Sequence, residues 1–369
     1  MKILLTGTHF TPALAVIKEL KKYNNPDLVY VGRKNTMEGD SSLSVESQII
    51  SKAGVKFIPL LAGRIQRSFT RYTIPALLKI PLGFIQGFWI LLKEKPDVAL
   101  SFGGYVSVPI VFFAWLLSVP IIVHQQTLIE GLTNKVTNFF ADKVALSFGT
   151  KKLGGKYILT GNPLRDEIIN IDKDLKTEFD VIIKTSKKNN LPLILITGGN
   201  QGSHVINKTV EGVLNKLLKT ACVIHVTGDN KFKDFENLEK LQNESYLVKK
   251  WIDKGWGKIL SEVDLVITRA GINTLMEIVF LKKNAIVIPI PYLSGNEQQK
   301  NAEFFEKLGM AHILSQSKLS EESLFNLIQE LLRKPSDVKK GSLGLGKVVI
   351  VDAAKRLALE TVLLSKMDK

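Results

Sequence analysis

A doubly wound α/β chain of two Rossmann-like domains is the fold class that this 369-residue sequence predicts. Short apolar runs suited to buried parallel strands recur along it, each followed by a glycine turn and then by apolar residues at helical spacing. Two such series open at Lys2-Ile-Leu-Leu-Thr6 and at Leu193-Ile-Leu-Ile-Thr197, on either side of a charge-dense stretch, Asp166 to Asn190. The length and a 45% hydrophobic content suffice for two cores of ordinary size.

In the first series, Gly7-Thr-His-Phe-Thr-Pro12 turns the first strand into a helix from about Ala13 to Lys22, which puts His9 at a strand-to-helix crevice, where open α/β sheets bind ligands. Leu28 to Gly32 and Val55 to Pro59 are further strands, with a polar loop over residues 33–47. Nineteen residues from Ile74 to Leu92 hold one charge, and a second apolar run spans Tyr105 to Val123. Their lengths suit membrane spans, but Pro75, Pro81, Gly83 and Gly87 in the first and Pro109 and Pro120 in the second divide them into shorter elements. Strand Val98 to Ser101, turn Phe102-Gly-Gly104, a helix near Pro109 to Leu117 and strand Ile121 to His124 make a βαβ unit. Strand Lys143 to Ser147 follows, then Gly161-Asn-Pro-Leu-Arg165, where the composition changes.

The second series has a glycine loop, Gly198-Gly-Asn-Gln-Gly-Ser203, then strands Val223 to Thr227 and Tyr246 to Val248, and a loop Trp251-Ile-Asp253. Strand Val263 to Thr268, turn Arg269-Ala-Gly271, helix Ile272 to Leu281 and strand Ala285 to Ile290 form a βαβ unit. Its turn exposes N–H groups at a helix start, where an anion binds well. Glu277, one turn in, is either an acceptor for ribose hydroxyls or a solvated helix residue. Gly341 to Gly346 reads as a linker, and Val351 to Leu364 as an apolar-striped helix free to fold back on either domain. The domain bounds are then 1–163, 164–345 and a C-terminal helix in 346–369.

The formal net charge is +15, and residues 1–165 carry 20 Lys and Arg against 9 Asp and Glu. No acidic residue occurs between Ser47 and Lys93. An anionic partner is implied, a membrane surface or a nucleic acid. Arg64, Arg67, Arg71 and Lys79 beside Phe69, Ile74, Leu77, Leu78, Phe84 and Trp89 form the pattern of an interfacial anchor, or else a core helix with a solvated basic edge. The single Cys222 excludes an internal disulfide, and no Cys/His cluster has zinc spacing. The short apolar start passes straight into a glycine turn, so no export signal is expected.

Spaced motifs from one end of the chain almost to the other resemble the MurG family of peptidoglycan N-acetylglucosaminyltransferases. They are Thr6-Gly-Thr-His9, Pro12-Ala-Leu-Ala15, Gly103-Gly-Tyr-Val-Ser107, His124 with Gln126, Gly131-Leu-Thr-Asn-Lys135, Gly161-Asn-Pro-Leu-Arg165, Gly198-Gly-Asn-Gln-Gly202, Arg269-Ala-Gly271, Glu277, and Gln298 with Asn301. The resemblance implies a GT-B fold, two Rossmann-like domains facing a cleft, with the first taking a lipid acceptor and the second a UDP-sugar. It implies transfer of GlcNAc from UDP-GlcNAc to undecaprenyl-diphospho-MurNAc-pentapeptide, lipid I, for cell-wall synthesis at the cytoplasmic face of the plasma membrane. By motif, the donor site comprises Arg165, Asn200, Gln201, Ile252, Ile272, Asn273, Thr274, Leu275, Met276, Glu277 and Gln298, with Thr6, Gly7, Thr8 and Thr127 reaching in from the first domain. The sequence departs from the family pattern at Thr8 for a glycine, Gln125 for a glutamate, Thr127 for an asparagine and Asn200 for a serine.

Such a transfer inverts the anomeric centre and needs a base, for which His9 is the candidate; Gln125 cannot serve. Helix N-termini and Arg165 stabilise departing UDP, so neither metal nor cofactor is expected. The one Asp-x-Asp, Asp172-Lys-Asp174, lies in the charged connector and reads as solvated surface. A dehydrogenase is disfavoured because neither glycine loop has G-x-G-x-x-G spacing. A UDP-sugar epimerase and an inactive UDP-sugar-binding scaffold remain as alternatives. Nucleic-acid binding explains the charge but none of the motifs.

Overall fold

The computed structural model describes residues 1–33, 45–61, 63, 73–149, 153–199, 202–292, 294–333 and 348–366. Two compact units form, Met1–Arg165 together with Ile350–Lys369, and Asp166–Val349.

The first unit runs β1 (Lys2–Thr6), α1 (Phe10–Leu20), β2 (Asp27–Gly32), α2 (Val45–Lys52), β3 (Lys56–Pro59), α3 (Thr73–Glu94), β4 (Val98–Ser101), α4 (Ser107–Leu116), β5 (Ile121–Gln125), α5 (Leu132–Phe140), β6 (Lys143–Leu146) and β7 (Tyr157–Leu159). The second runs α6 (Asp166–Ile169), α7 (Asp180–Lys188), β8 (Leu193–Thr197), α8 (His204–Leu217), β9 (Cys222–Val226), α9 (Asp234–Leu238), β10 (Tyr246–Lys249), α10 (Trp256–Glu262), β11 (Leu265–Thr268), α11 (Ile272–Phe280), β12 (Asn284–Val287), α12 (Glu297–Lys307), β13 (His312–Ile313) and α13 (Glu321–Arg333). A last helix, α14 (Ala353–Leu364), belongs to the first unit. Both sheets are parallel, in the orders β3-β2-β1-β4-β5-β6-β7 and β10-β9-β8-β11-β12-β13. The order reverses beside β1 and β4 in one and beside β8 and β11 in the other, which places a ligand crevice at each point.

The apolar strands follow from burial on both faces. Along β1, Ile3 and Leu5 pack with α1 and α14, while Leu4 packs with the layer containing Ile90, Leu91 and Ile110 of α3 and α4. Leu357 and Ala358 of α14 are fully buried against the first unit, and Lys143 Nζ reaches Glu360 Oε2 at 2.6 Å. The C-terminal segment therefore completes the N-terminal unit, a choice that its sequence left open.

Three expectations need correction. Pro81, Gly83 and Gly87 do not divide the first apolar run, because α3 is continuous over 22 residues. Pro75 lies in its first turn, where no amide donor is needed, Pro81 is exposed, and a Cβ on Gly87 would come 3.2 Å from Pro109 Cβ, so that glycine admits α4. The connector Asp166–Asn190 is not a plain linker: α7 buries Ile182 and Ile183, and Asp180 pairs with Lys258 at 2.7 Å. Part of the loop read over residues 33–47 is helical, since α2 begins at Val45.

Candidate active site

In the second unit, the loops after β8 and β11 meet at the C-terminal edge of the sheet. A Cβ on Gly202 would lie 1.8 Å from the Thr227 carbonyl oxygen, so only glycine lets this loop pass. Ser203 then caps α8 by accepting from Ile206 N. The Arg269 guanidinium, 6% exposed, donates to Ser203 Oγ from Nη2 at 2.8 Å and Nε at 3.2 Å, and to the Ile288 carbonyl from Nη1 at 3.0 Å. It ties the two loops together. Asn301, fully buried, donates to the Ala270 carbonyl at 3.1 Å and braces the second turn from α12.

Gly271 is the N-cap of α11 and has no side chain to cap that turn. Asn273 and Thr274 are thus the second and third helical residues, both half-buried. Ile272, Leu275 and Met276 face the core. Glu277 is 1% exposed, and its Oε2 accepts from Trp256 Nε1 at 2.8 Å. The solvated reading of Glu277 fails. Gln298 Oε1 accepts from Ile290 N at 3.0 Å, and Ile252 is half-buried after β10. Behind the glycine loop, Asn207 donates to the Thr227 carbonyl and to Asp234, and its Oδ1 lies 3.1 Å from His225 Nε2. Burial pushes the His225 imidazole down to about 3.

In the first unit, Thr8 N donates to the Gly103 carbonyl at 3.1 Å and Tyr30 OH to the Gly7 carbonyl at 3.0 Å, which fixes the first loop. A Cβ on Gly104 would meet Thr8 Oγ1 at 2.2 Å, so threonine at position 8 requires glycine there. His9 and Asn134 flank Gly103. Burial, followed by the positive charge of Arg33, pushes His9 down to about 4, so its ring is neutral at pH 7 and a weaker base than its ordinary value implies. His124 is buried, with Nε2 3.0 Å from Ser147 Oγ, and burial likewise pushes it down to about 4. Gln125 Oε1 accepts from Asn138 Nδ2 at 2.9 Å, and Thr127 donates to the Ile129 carbonyl within its own loop. Thr6 is buried at the end of β1, and Arg165, half-buried, is the last residue of the first unit before α6.

Family models match both units: the N-terminal domain of glycosyltransferase family 28 over residues 5–146 and its C-terminal domain over residues 193–357. A UDP-N-acetylglucosamine–N-acetylmuramyl-(pentapeptide) pyrophosphoryl-undecaprenol N-acetylglucosamine transferase of Clostridium perfringens strain SM101 is 32% identical, covering 97% of this chain and 98% of its own. The chain belongs to glycosyltransferase family 28. A Clostridium botulinum strain 657 enzyme of the same name is 33% identical over 89% of this chain and 90% of its own. The crystal structure of Acinetobacter baumannii MurG shares the fold, with a TM-score of 0.69 at 22% identity over 99% of each chain.

In this family 28 chain, sequence order does not mark Trp256 as the partner of Glu277, since only the fold brings α10 against α11. The candidates Asn200, Gln201, Arg64, Arg67, Phe69 and Arg71 lie outside the described residues. On α3, Ile74, Leu77, Leu78, Leu82, Ile85 and Trp89 share one exposed apolar face, with Leu78 66% and Trp89 64% exposed. Trp115 and Leu116 of α4 and Leu132 and Phe139 of α5 are also exposed, on neighbouring helices. α3 thus has a core side, through Ile90 and Leu91, and an exposed apolar face. Lys79 is half-buried, and Phe84 packs on Phe112 and Phe113, so it supports this face from beneath. Among the described residues, no helix is long and apolar enough to cross a membrane, and no group of three or more Asp, Glu, His or Cys side chains could hold a metal ion. Asp172 Oδ1 accepts from the backbone of Asp174 and Leu175 in an exposed turn.

Proposed function

We propose that this chain transfers GlcNAc from UDP-GlcNAc to the muramoyl sugar of lipid I, giving lipid II for peptidoglycan synthesis. The observation that carries the reading is likeness to relatives of that name over nearly the whole of both chains, 32% identical across 97% of this one. The geometry supports it. The first turn of α11 with its glycine N-cap, the glycine loop before α8 and the Arg269 cation that joins them suit an anionic diphosphate. Glu277, oriented by Trp256, takes the ribose hydroxyls, with Ile252 on the loop after β10 and Gln298 in the first turn of α12.

The acceptor hydroxyl oxygen attacks the anomeric carbon from the face opposite UDP. The bond from that carbon to the diphosphate oxygen breaks, its electron pair leaves with UDP, and the configuration inverts. The proton passes to the neutral His9 ring, which gains basicity only against the charge developing in the transition state. The N–H groups and dipole of α11 receive the growing charge on UDP.

The exposed apolar face of α3, with flanking basic residues, docks peripherally on the anionic cytoplasmic leaflet that holds the acceptor. A UDP-sugar epimerase has no need of such a face. The test is incubation with radiolabelled UDP-GlcNAc and lipid I. Label should move into the lipid extract in step with UDP release. Label that stays in water with a competent acceptor would refute the proposal.

A further inference from the structure

The loop after β5 carries a carboxylate that neither the motifs nor the mechanism uses. Glu130 Oε1 accepts from Asn138 Nδ2 at 2.7 Å, and the same nitrogen donates to Gln125 Oε1 at 2.9 Å. A carboxylate only accepts, so Glu130 fixes which way the Asn138 amide faces. That amide in turn sets Gln125 with its oxygen towards Asn138 and its NH2 away. Gln125 and Asn138 are buried and Glu130 is half-buried, so the anionic group sits at the mouth of the network. Beside it, the buried Gln126 Oε1 has no partner among the described residues.

The position points to a ligand. Asn134, one turn before Asn138 on α5, flanks Gly103 together with His9, so Glu130, just before the N-cap of α5, adjoins the helix that borders the candidate base. Of the loops that follow the strands at this edge of the sheet, those after β2 and β5 contain acidic residues. A negative charge here disfavours a diphosphate and favours neutral groups that donate hydrogen bonds.

Resting on the proposed glycosyl transfer, we propose that Glu130 is an acceptor-positioning residue. Its carboxylate accepts hydrogen bonds from a hydroxyl or amide N–H of the acceptor sugar, in place of the side-chain carboxylate that Gln125 does not supply. Sequence spacing alone hides this role, because Glu130 reaches the network only through α5.

The test measures steady-state transfer by the full chain, with donor and acceptor varied separately. Glu130→Gln should lower kcat/KM for lipid I about 10- to 100-fold, through a raised acceptor KM, and leave donor KM within about twofold. Moving the carboxylate across the shared amide, in the double variant Gln125→Glu with Glu130→Gln, should recover most of that loss. Gln125→Glu alone should gain nothing, since Glu130 already supplies the carboxylate and a second one on the same Asn138 amide adds like-charge repulsion. A Glu130→Gln protein with wild-type acceptor kinetics would overturn the inference, as would one whose loss the double variant does not recover. If Glu130→Gln fails to fold, Glu130→Ala takes its place, and unchanged acceptor kinetics there would count equally against it. No transfer by the wild-type chain would overturn the underlying reading and this inference with it.

Discussion

Replacing Glu277 in two ways separates its bond to Trp256 from its charge. Both side chains are nearly inaccessible, and the bond between them is 2.8 Å. Glu277→Ala removes the acceptor and leaves the buried Trp256 Nε1 donor unsatisfied, at a cost of about 1–3 kcal/mol in stability. It also removes a charged acceptor of ribose hydroxyls, worth about 1.5–3 kcal/mol, which is roughly 10- to 150-fold in UDP-GlcNAc affinity. Glu277→Gln keeps an oxygen for Trp256 but loses the charge. A charge-assisted bond is roughly twice as strong as a neutral one, so the glutamine variant should keep near wild-type stability while losing about 1 kcal/mol of donor binding. Calorimetric titration with UDP-GlcNAc and urea unfolding give the two quantities independently. Wild-type donor affinity in a folded Glu277→Ala protein would show that the carboxylate serves only the core.

His9→Ala should lower kcat at least about 100-fold with donor affinity unchanged, because a base acts in the transition state; equal losses in both would assign His9 to binding. Acid should destabilise the fold through its buried imidazoles. His124 and His225, pushed down to about 4 and about 3, stay neutral in the folded chain while the unfolded chain protonates near 6.5. Their contribution is complete above about pH 6.5 and is lost as the pH falls from there towards about 3, at about 2 kcal/mol per histidine between pH 7 and pH 5. Urea midpoints that do not change between those pH values would contradict this. On the exposed face of α3, Leu78→Glu with Trp89→Glu should weaken binding to phosphatidylglycerol vesicles at least about tenfold without loss of stability, and Arg67→Glu with Arg71→Glu should remove its salt sensitivity. Co-sedimentation equal to wild type would move the docking surface elsewhere.

Strands that are buried on both faces were easy to read, because β1, β5, β8 and β11 are continuous apolar runs ending in turns. Helix limits were less legible. Pro81 and Gly87 look like breaks in isolation, yet packing of Gly87 on Pro109 and solvent at Pro81 let α3 continue. Ile182 and Ile183 were hidden among charges, since an amphipathic helix one turn from a linker has the same composition as the linker. Site residues held by local motif, such as the glycine loop and Gly271, could be named from order alone. Those held through space could not: Trp256 meets Glu277 across 21 positions, and Arg269 meets Ser203 across 66.

The most direct measurement of the central claim is the structure of the product, read by NMR of the lipid extract after incubation with UDP-GlcNAc and lipid I. A new β-glycosidic linkage between GlcNAc and the muramoyl sugar is the predicted result. An α-linkage would contradict the inverting displacement, and an unchanged lipid with an epimerised UDP-sugar in the aqueous phase would contradict transfer itself.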